Sequence, residues 1–201
     1  MVGGVILASG MSERFGQNKL LMPLGHQSIV ENVIDQAIES KLKGVYLVYG
    51  HHEREFEEIA RKKGISLIYN PDYALGQSKS VKKAVENIEG DVQGLMFLLG
   101  DQPFIGKKTI NLLIDTFSHY PQDIVLPTFN GNRGNPVIFS QSFFEEMKTL
   151  QGDKGAREII KKYPHRIVKV PIAEEMENYD IDTQEDYQKA IEYRRDQDGS
   201  L

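Results

Sequence analysis

Cysteine is absent from this chain of 201 residues. Disulfides, thiolate nucleophiles, iron–sulfur clusters and cysteine-ligated zinc are excluded together. Histidine is scarce, with 5 residues in all, and the adjacent His51–His52 lacks metal-ligand spacing, so the pair reads as surface loop. No apolar run approaches the roughly 18 to 20 residues of a membrane span. The opening MVGGVILASG has neither the basic flank nor the cleavage pattern of a signal peptide, and a cytoplasmic, reducing setting is the expectation. Positive charge is in deficit: 24 Lys and Arg stand against 29 Asp and Glu, a formal charge of −5. Grip on nucleic acid needs clustered cations to displace counterions from phosphates, so small substrates fit better. What is present is ordinary globular composition, 40% hydrophobic, with no repeat, low-complexity tract or dividing linker. A single domain over 1–195 follows, with a frayed tail at 196–201.

Along the chain, residues 2–7 form a short apolar run that stops at Ala8-Ser9-Gly10, which suggests a buried strand delivering a loop. Ser28 and Glu31 have capping-box spacing, and Val30, Val33, Ile34, Ala37 and Ile38 share a helical face. Residues 44–49 read as a second strand, 53–63 as a charged helix closed by Gly64, and 65–69 as a third strand. A helix over 77–88 precedes the most hydrophobic strand, 92–99, which belongs at the centre of the sheet. Connections too long for hairpins imply right-handed parallel crossovers and a sheet covered on both faces. The rhythm then breaks. Residues 124–129 and 136–139 flank Asn130-Gly131-Asn132-Arg133-Gly134, a turn-rich linker suited to an antiparallel pair. Helices at 141–149 and 154–162, a strand at 166–170 and a final helix at 184–194 complete a mixed, mostly parallel, Rossmann-like α/β fold.

In such sheets ligands bind beyond the carboxyl ends of the strands. The first exit runs Leu7-Ala8-Ser9-Gly10 to Arg14 and Lys19, small residues that let backbone N–H groups approach an anion, with two cations in reach. It suits a triphosphate, yet it is neither a G-x-G-x-x-G fingerprint nor a Walker loop. A surface turn with two solvated cations reads equally well. The fourth strand ends in Gly100-Asp101-Gln102-Pro103, where a carboxylate at the mouth of a buried strand suits magnesium beside phosphates, or simply forms a turn. In Asp180-Ile181-Asp182-Thr183 the period of two puts both carboxylates on one face, while Thr183 with Asp186 also has helix-capping spacing.

These segments, together with Arg133-Gly134-Asn135-Pro136 and Gly152-Asp153-Lys154-Gly155-Ala156-Arg157, resemble the nucleotidyltransferases that mature molybdenum cofactor, in order over nearly the whole chain. The likeness is strongest to the cytidylyl branch, including relatives encoded with purine-catabolic xanthine dehydrogenases. It implies a three-layer α/β/α sandwich of the nucleotide-diphospho-sugar transferase type, with a nucleotide-binding half at 1–105 and an acceptor-binding half at 106–195. It also implies that Leu7, Ala8, Ser9 and Gly10 meet the nucleotide, the last three through backbone, and that Arg14 and Lys19 meet its phosphates. Asp101 and Asp182 become ligands of Mg2+. Asn70, Gly76, Gln77 and Ser78 border base and ribose, and Arg133, Asn135, Asp153 and Arg157 face the acceptor. The catalytic set is Lys19, Arg14 and Asp101.

Ala8-Ser9-Gly10 and Gly16-Gln17 replace the paired glycines of guanylyl-transferring cousins, which tilts the resemblance toward CTP. The implied reaction moves CMP from CTP to the terminal phosphate of molybdenum-bearing molybdopterin, releasing pyrophosphate, for clients such as xanthine dehydrogenase. A phosphate monoester is already anionic at neutral pH, so no Ser-His-Asp relay is required. Departures from the branch are Ser9 where Ala is usual, Asn135 where His is common, and Lys79 with Val81 in a segment usually richer in Ser and Leu. Rival expectations are a GTP-using enzyme, a transferase acting on sugar or alditol phosphates, and a cofactor carrier without turnover.

Overall fold

A computed structural model describes residues 1–10, 18–88, 90–152 and 155–199. Strand β1 (Val2–Leu7) leads through a 3-10 turn at Lys19–Leu21 into a small hairpin, β2 (Pro23–Leu24) and β3 (Gln27–Ser28). There follow α1 (Ile29–Ile38), β4 (Val45–Tyr49), α2 (Glu53–Lys63), β5 (Ser66–Tyr69), α3 (Gln77–Asn87) and β6 (Gly94–Leu99). The second half holds α4 (Lys107–His119), β7 (Ile124–Phe129), β8 (Asn132–Arg133), β9 (Val137–Ser140), α5 (Phe144–Met147), α6 (Arg157–Lys162), β10 (Ile167–Ile172) and α7 (Gln184–Asp198). The main sheet runs β10-β7-β9-β6-β1-β4-β5, with β8 paired to β7. Strand β6 is central, as its hydrophobicity requires. Strand β9 is antiparallel to both β6 and β7, whereas β1 is parallel to β4 and β6.

Side-chain alternation splits the core into two layers. Ile6, Leu47, Met96, Leu98 and Val125 pack toward α1, α4 and α7, while Val5, Val48, Leu95, Phe97 and Leu126 pack toward α3, α5 and α6. Helices therefore cover both faces, and the three-layer expectation holds. The capping box is present at Ser28–Glu31, with Ser28 N–H donating to Glu31 Oε2 at 2.9 Å. Expected boundaries shift mainly in the second half: the helix expected at 141–149 is a 3-10 turn at Gln141–Phe143 followed by α5. The last helix continues to Asp198, so residues 196–198 of the expected tail are helical.

Helix α4 is absent from the sequence-based expectation. Its N-cap Gly106 offers no capping side chain; instead Glu177 Oε2 accepts from Gly106 N–H at 3.1 Å and Gln36 Oε1 accepts from Lys107 N–H at 2.9 Å. Both caps come from distant sequence, so local capping rules could not flag the start.

Gly94 tests the packing between β6 and its neighbours. A Cβ there would lie 2.7 Å from Phe117 Cζ and 2.9 Å from the Phe139 carbonyl oxygen. The backbone oxygen belongs to the paired strand β9 and cannot retreat without breaking the ladder. Gly94→Ala is expected to destabilise the fold by about 1 to 3 kcal/mol, the usual cost of overpacking, read as a shift in denaturant midpoint.

Candidate active site

From β1 the chain passes outward to β4 and β5 and then returns to β6 on the other side of β1. The loops after β1 and β6 therefore leave the sheet at its switch point, where a crevice opens. Leu7 and Leu99 are directly paired, and Gly100 N–H donates to the Leu7 carbonyl at 3.1 Å, so the two exits stay side by side. A cavity of about 450 Å³ occupies this place. Its walls include Ser9, Gly10, Lys19, Asp101, Asp180 and Asp182 on one part and Tyr73, Gly76, Gln77, Ser80 and Arg157 on another.

Lys19 starts the 3-10 turn that Asn18 caps by accepting from Leu20 N–H, and buried Leu20 anchors that turn in the core. The Lys19 ammonium donates to Asp101 Oδ2 and to Asp182 Oδ1, each at 2.8 Å. Burial pushes the ammonium down, but the Asp101 and Asp182 carboxylates more than reverse this and hold it above the ordinary lysine range. The segment carrying Asp182 is laced to the β6 exit by Ile181 N–H donating to the Asp101 carbonyl at 3.1 Å. Buried Gln102 adds a second stitch, donating from Nε2 to Asp180 Oδ1 at 3.0 Å. Thr183 and Asp186 form a capping box on α7, which leaves the Asp182 carboxylate to Lys19. Asp180 joins the cluster: burial, then the neighbouring Asp101 and Asp182 charges, push its carboxyl up to about 6.

Asp101 and Asp182 are thus brought together on one ammonium. The fit to a divalent ion rests on their shared approach to one cationic centre, the Lys19 ammonium, and on a donor set of hard carboxylate oxygens. Among the described residues, no three or more His, Cys, Asp or Glu side chains are grouped to hold a metal by themselves. Such a pair suits a hard divalent ion that keeps part of its shell for other oxygen ligands.

Other expected residues fall into place unevenly. Gly76 and Gln77 line the cavity. Ala8 does not: it is buried in the core, and its N–H donates to the Val48 carbonyl at 2.9 Å, so that amide is already spent. Ser78 is fully buried and clamps α3 to the loop before α6, donating to the Gln151 carbonyl at 3.2 Å. Asn70 lies behind the wall, where it holds Ser80. Arg157 reaches both the cavity and a small apolar annex of about 50 Å³, which Asn135 also lines. Arg133 lines neither; it sits exposed on β8, whose pairing with β7 turns the segment out to solvent. Arg14 and Asp153 lie outside the described residues.

Two wall residues escaped the sequence reading. Tyr73 is seated against Gly50, where any Cβ would lie 2.2 Å from its ring, and stacks at 5.2 Å on His51. His51 is therefore half-buried packing rather than plain surface loop, while His52 is exposed. The glycine directly after β4 was the available signal. Ser80, one turn after Gln77 on α3, was marked only by its helical spacing.

The matching family model is the MobA-like NTP transferase domain, which covers residues 4–167. The chain belongs to the MobA-like NTP transferase family. "Purine catabolism protein PucB" of Bacillus subtilis (strain 168) is 33% identical over 193 residues, covering 92% of this chain and 93% of that protein. "Molybdenum cofactor cytidylyltransferase" of Escherichia coli (strain K12) is 30% identical over 189 residues, covering 94% of each. Among solved structures, the Rv0371c homologue from Mycobacterium sp. strain JC1 superposes with TM-score 0.87 at 26% identity, covering 98% of both chains. The fold of this MobA-like transferase is that of the nucleotide-diphospho-sugar transferases, shared with solved nucleotidyltransferases. Among the described residues no helix is long and apolar enough to cross a membrane.

Proposed function

We propose that this MobA-like transferase moves CMP from CTP to the terminal phosphate of molybdenum-bearing molybdopterin. In this reaction an oxygen of the acceptor phosphate forms a bond to the α-phosphorus, the bond from that phosphorus to the β-bridging oxygen breaks, and pyrophosphate leaves with the electron pair. The observation that carries the reading is the Lys19–Asp101–Asp182 cluster, held at 2.8 Å contacts on the wall of the switch-point cavity. A redox or carrier protein has no need of two carboxylates laced around a lysine beside a polyanion site. The likeness to a protein named molybdenum cofactor cytidylyltransferase supports the choice of base and acceptor.

Asp101 and Asp182 would hold Mg2+, which supplies Lewis-acid neutralisation of charge on phosphate oxygens when bound. The remaining work falls to the chain itself. The problem is to align two mutually repelling anions, since the attacking phosphate is already ionised and needs no base. Lys19 places a permanent positive charge on a flexible stem beside the cavity, suited to the charge that develops on departing pyrophosphate. Arg157, at the junction of cavity and annex, is positioned for an anionic group of the acceptor.

The test is pyrophosphate release from CTP, GTP, ATP and UTP in turn, with molybdopterin, sugar phosphates or alditol phosphates as acceptor. The expected result is release that needs CTP and molybdopterin together, with the cytosine dinucleotide as product by mass. Release with GTP, or with a sugar or alditol phosphate, would reassign base or acceptor. Tight pterin binding without release from any nucleotide would make the protein a carrier.

A further inference from the structure

Asn178 lines neither the cavity nor the annex, yet its side chain reaches the backbone of a residue that does. The ladder between β6 and β9 stops at the pair Phe97 and Val137, so Gly134-Asn135-Pro136 arrives at the annex without pairing to β6. The turn keeps one bond to β7, from Gly134 N–H to the Pro127 carbonyl at 3.0 Å. Asn178, at the end of the 3-10 turn over Glu175–Asn178, supplies a second hold: its Oδ1 accepts from Asn135 N–H at 3.1 Å. Among the described residues no other acceptor meets that N–H. Gly134 makes the approach possible, since a Cβ there would lie 2.5 Å from Asn178 Oδ1 and 2.5 Å from Phe129 Cε2.

The same amide also faces the segment that carries the carboxylates. Buried Gln102, bonded from Nε2 to Asp180 Oδ1, lies 3.5 Å from both the Asn178 carbonyl and Asn178 Oδ1. Both neighbours of Oδ1 are N–H donors, and an amide oxygen offers two lone pairs, so the partners fix which end of the amide faces them. The contacts are unequal. The bond to Asn135 has ordinary length, whereas those at 3.5 Å are long and weak. Beyond Asn178, Ile181 is fully buried and its N–H is bonded to the Asp101 carbonyl, so Asp182 keeps its own anchor. The Asn178 side chain therefore governs the annex turn far more than the carboxylates.

We infer that Asn178 is a positioning residue for the acceptor: through Asn135 N–H it holds the turn that lines the annex in register with the segment bearing Asp182. Asn135 and Arg157 line the annex together, so the turn forms one side of the space beside the cavity. An acceptor that meets a loose turn must order it on binding. That cost is present equally in the ground state and the transition state, so it appears in KM rather than in kcat. The inference rests on the nucleotidyl-transfer reading.

The test is steady-state pyrophosphate release at saturating CTP with molybdenum-bearing molybdopterin varied, for the full chain and for Asn178→Ala, Asn178→Leu and Asn178→Asp, alongside calorimetric binding of CTP. Asn178→Ala and Asn178→Leu both remove the amide oxygen, the second keeping the bulk. Each is expected to raise the acceptor KM about tenfold, the scale of one lost hydrogen bond, with kcat and CTP affinity held within about twofold. Asn178→Asp keeps an oxygen facing both donors and should return KM to within about threefold of the unaltered chain. A merely structural role would lower the melting temperature without this split. Amide hydrogen exchange at Asn135 should quicken in Asn178→Ala and Asn178→Leu and stay slow in Asn178→Asp. Unchanged acceptor KM in Asn178→Ala and Asn178→Leu, a matching loss of CTP affinity, or a KM in Asn178→Asp as high as in Asn178→Ala would overturn the inference alone. Absence of acceptor-dependent release from the unaltered chain would overturn the nucleotidyl-transfer reading with it. Should Asn178→Ala or Asn178→Leu fail to melt cooperatively, the other is judged by the same criterion.

Discussion

Lys19→Ala is expected to lower nucleotide-dependent pyrophosphate release at least about a hundredfold, equivalent to roughly 3 kcal/mol of transition-state stabilisation. The side chain is 12% exposed and its ammonium spends its contacts on Asp101 and Asp182, so the variant is expected to fold. What it does remove is a cation shared by Asp101 and Asp182, close to a third carboxylate at Asp180. The variant should therefore melt at a lower temperature than the parent, and added Mg2+ should narrow that difference. Steady-state rates together with thermal melts with and without Mg2+ check both parts. Near-normal turnover would remove Lys19 from the mechanism.

Asp101→Ala is expected to fall at least as far in turnover. Asp101 is the better shielded of the two carboxylates, with side-chain exposure of 24% against 57% for Asp182, and screening by water is correspondingly weaker. The substitution spares the fold for a specific reason. The link to the segment carrying Asp182 runs through the Asp101 backbone carbonyl, which accepts from Ile181 N–H at 3.1 Å and survives in alanine. Loss of rate with retained cooperative unfolding is the expected pair of results, and collapse of the fold would show that the carboxylate is structural.

Much of this was legible before any coordinates. The parallel half was readable because β1, β4 and β6 are short apolar runs separated by amphipathic helices, and each carries its own start and stop signals. The two strand exits announced themselves as contiguous motifs around Ser9-Gly10 and Gly100-Asp101. What the sequence hid depends on contacts between distant segments. Helix α4 borrows its caps from Gln36 and Glu177. Ser80 gains its place in the wall from Ser9 and Asn70, 71 and 10 residues away, and Tyr73 from the missing side chain at Gly50. Ala8 and Arg133 show the converse, as motif residues that line neither cavity nor annex. A motif names residue types, but a spent amide and an outward-turned β8 decide which of them reach the cavity.

The central claim is that carboxylates from two remote parts of the chain act as a single seat for a divalent ion beside a bound nucleotide. Manganese titration followed by electron paramagnetic resonance, with and without CTP, tests this most directly. The account predicts weak binding of Mn2+ by the free chain, because two carboxylates alone complete no coordination shell, and binding at least about tenfold tighter with CTP present. It also predicts that Asp101→Ala abolishes the enhancement. Affinity for Mn2+ that ignores CTP and is unaltered in Asp101→Ala would contradict it.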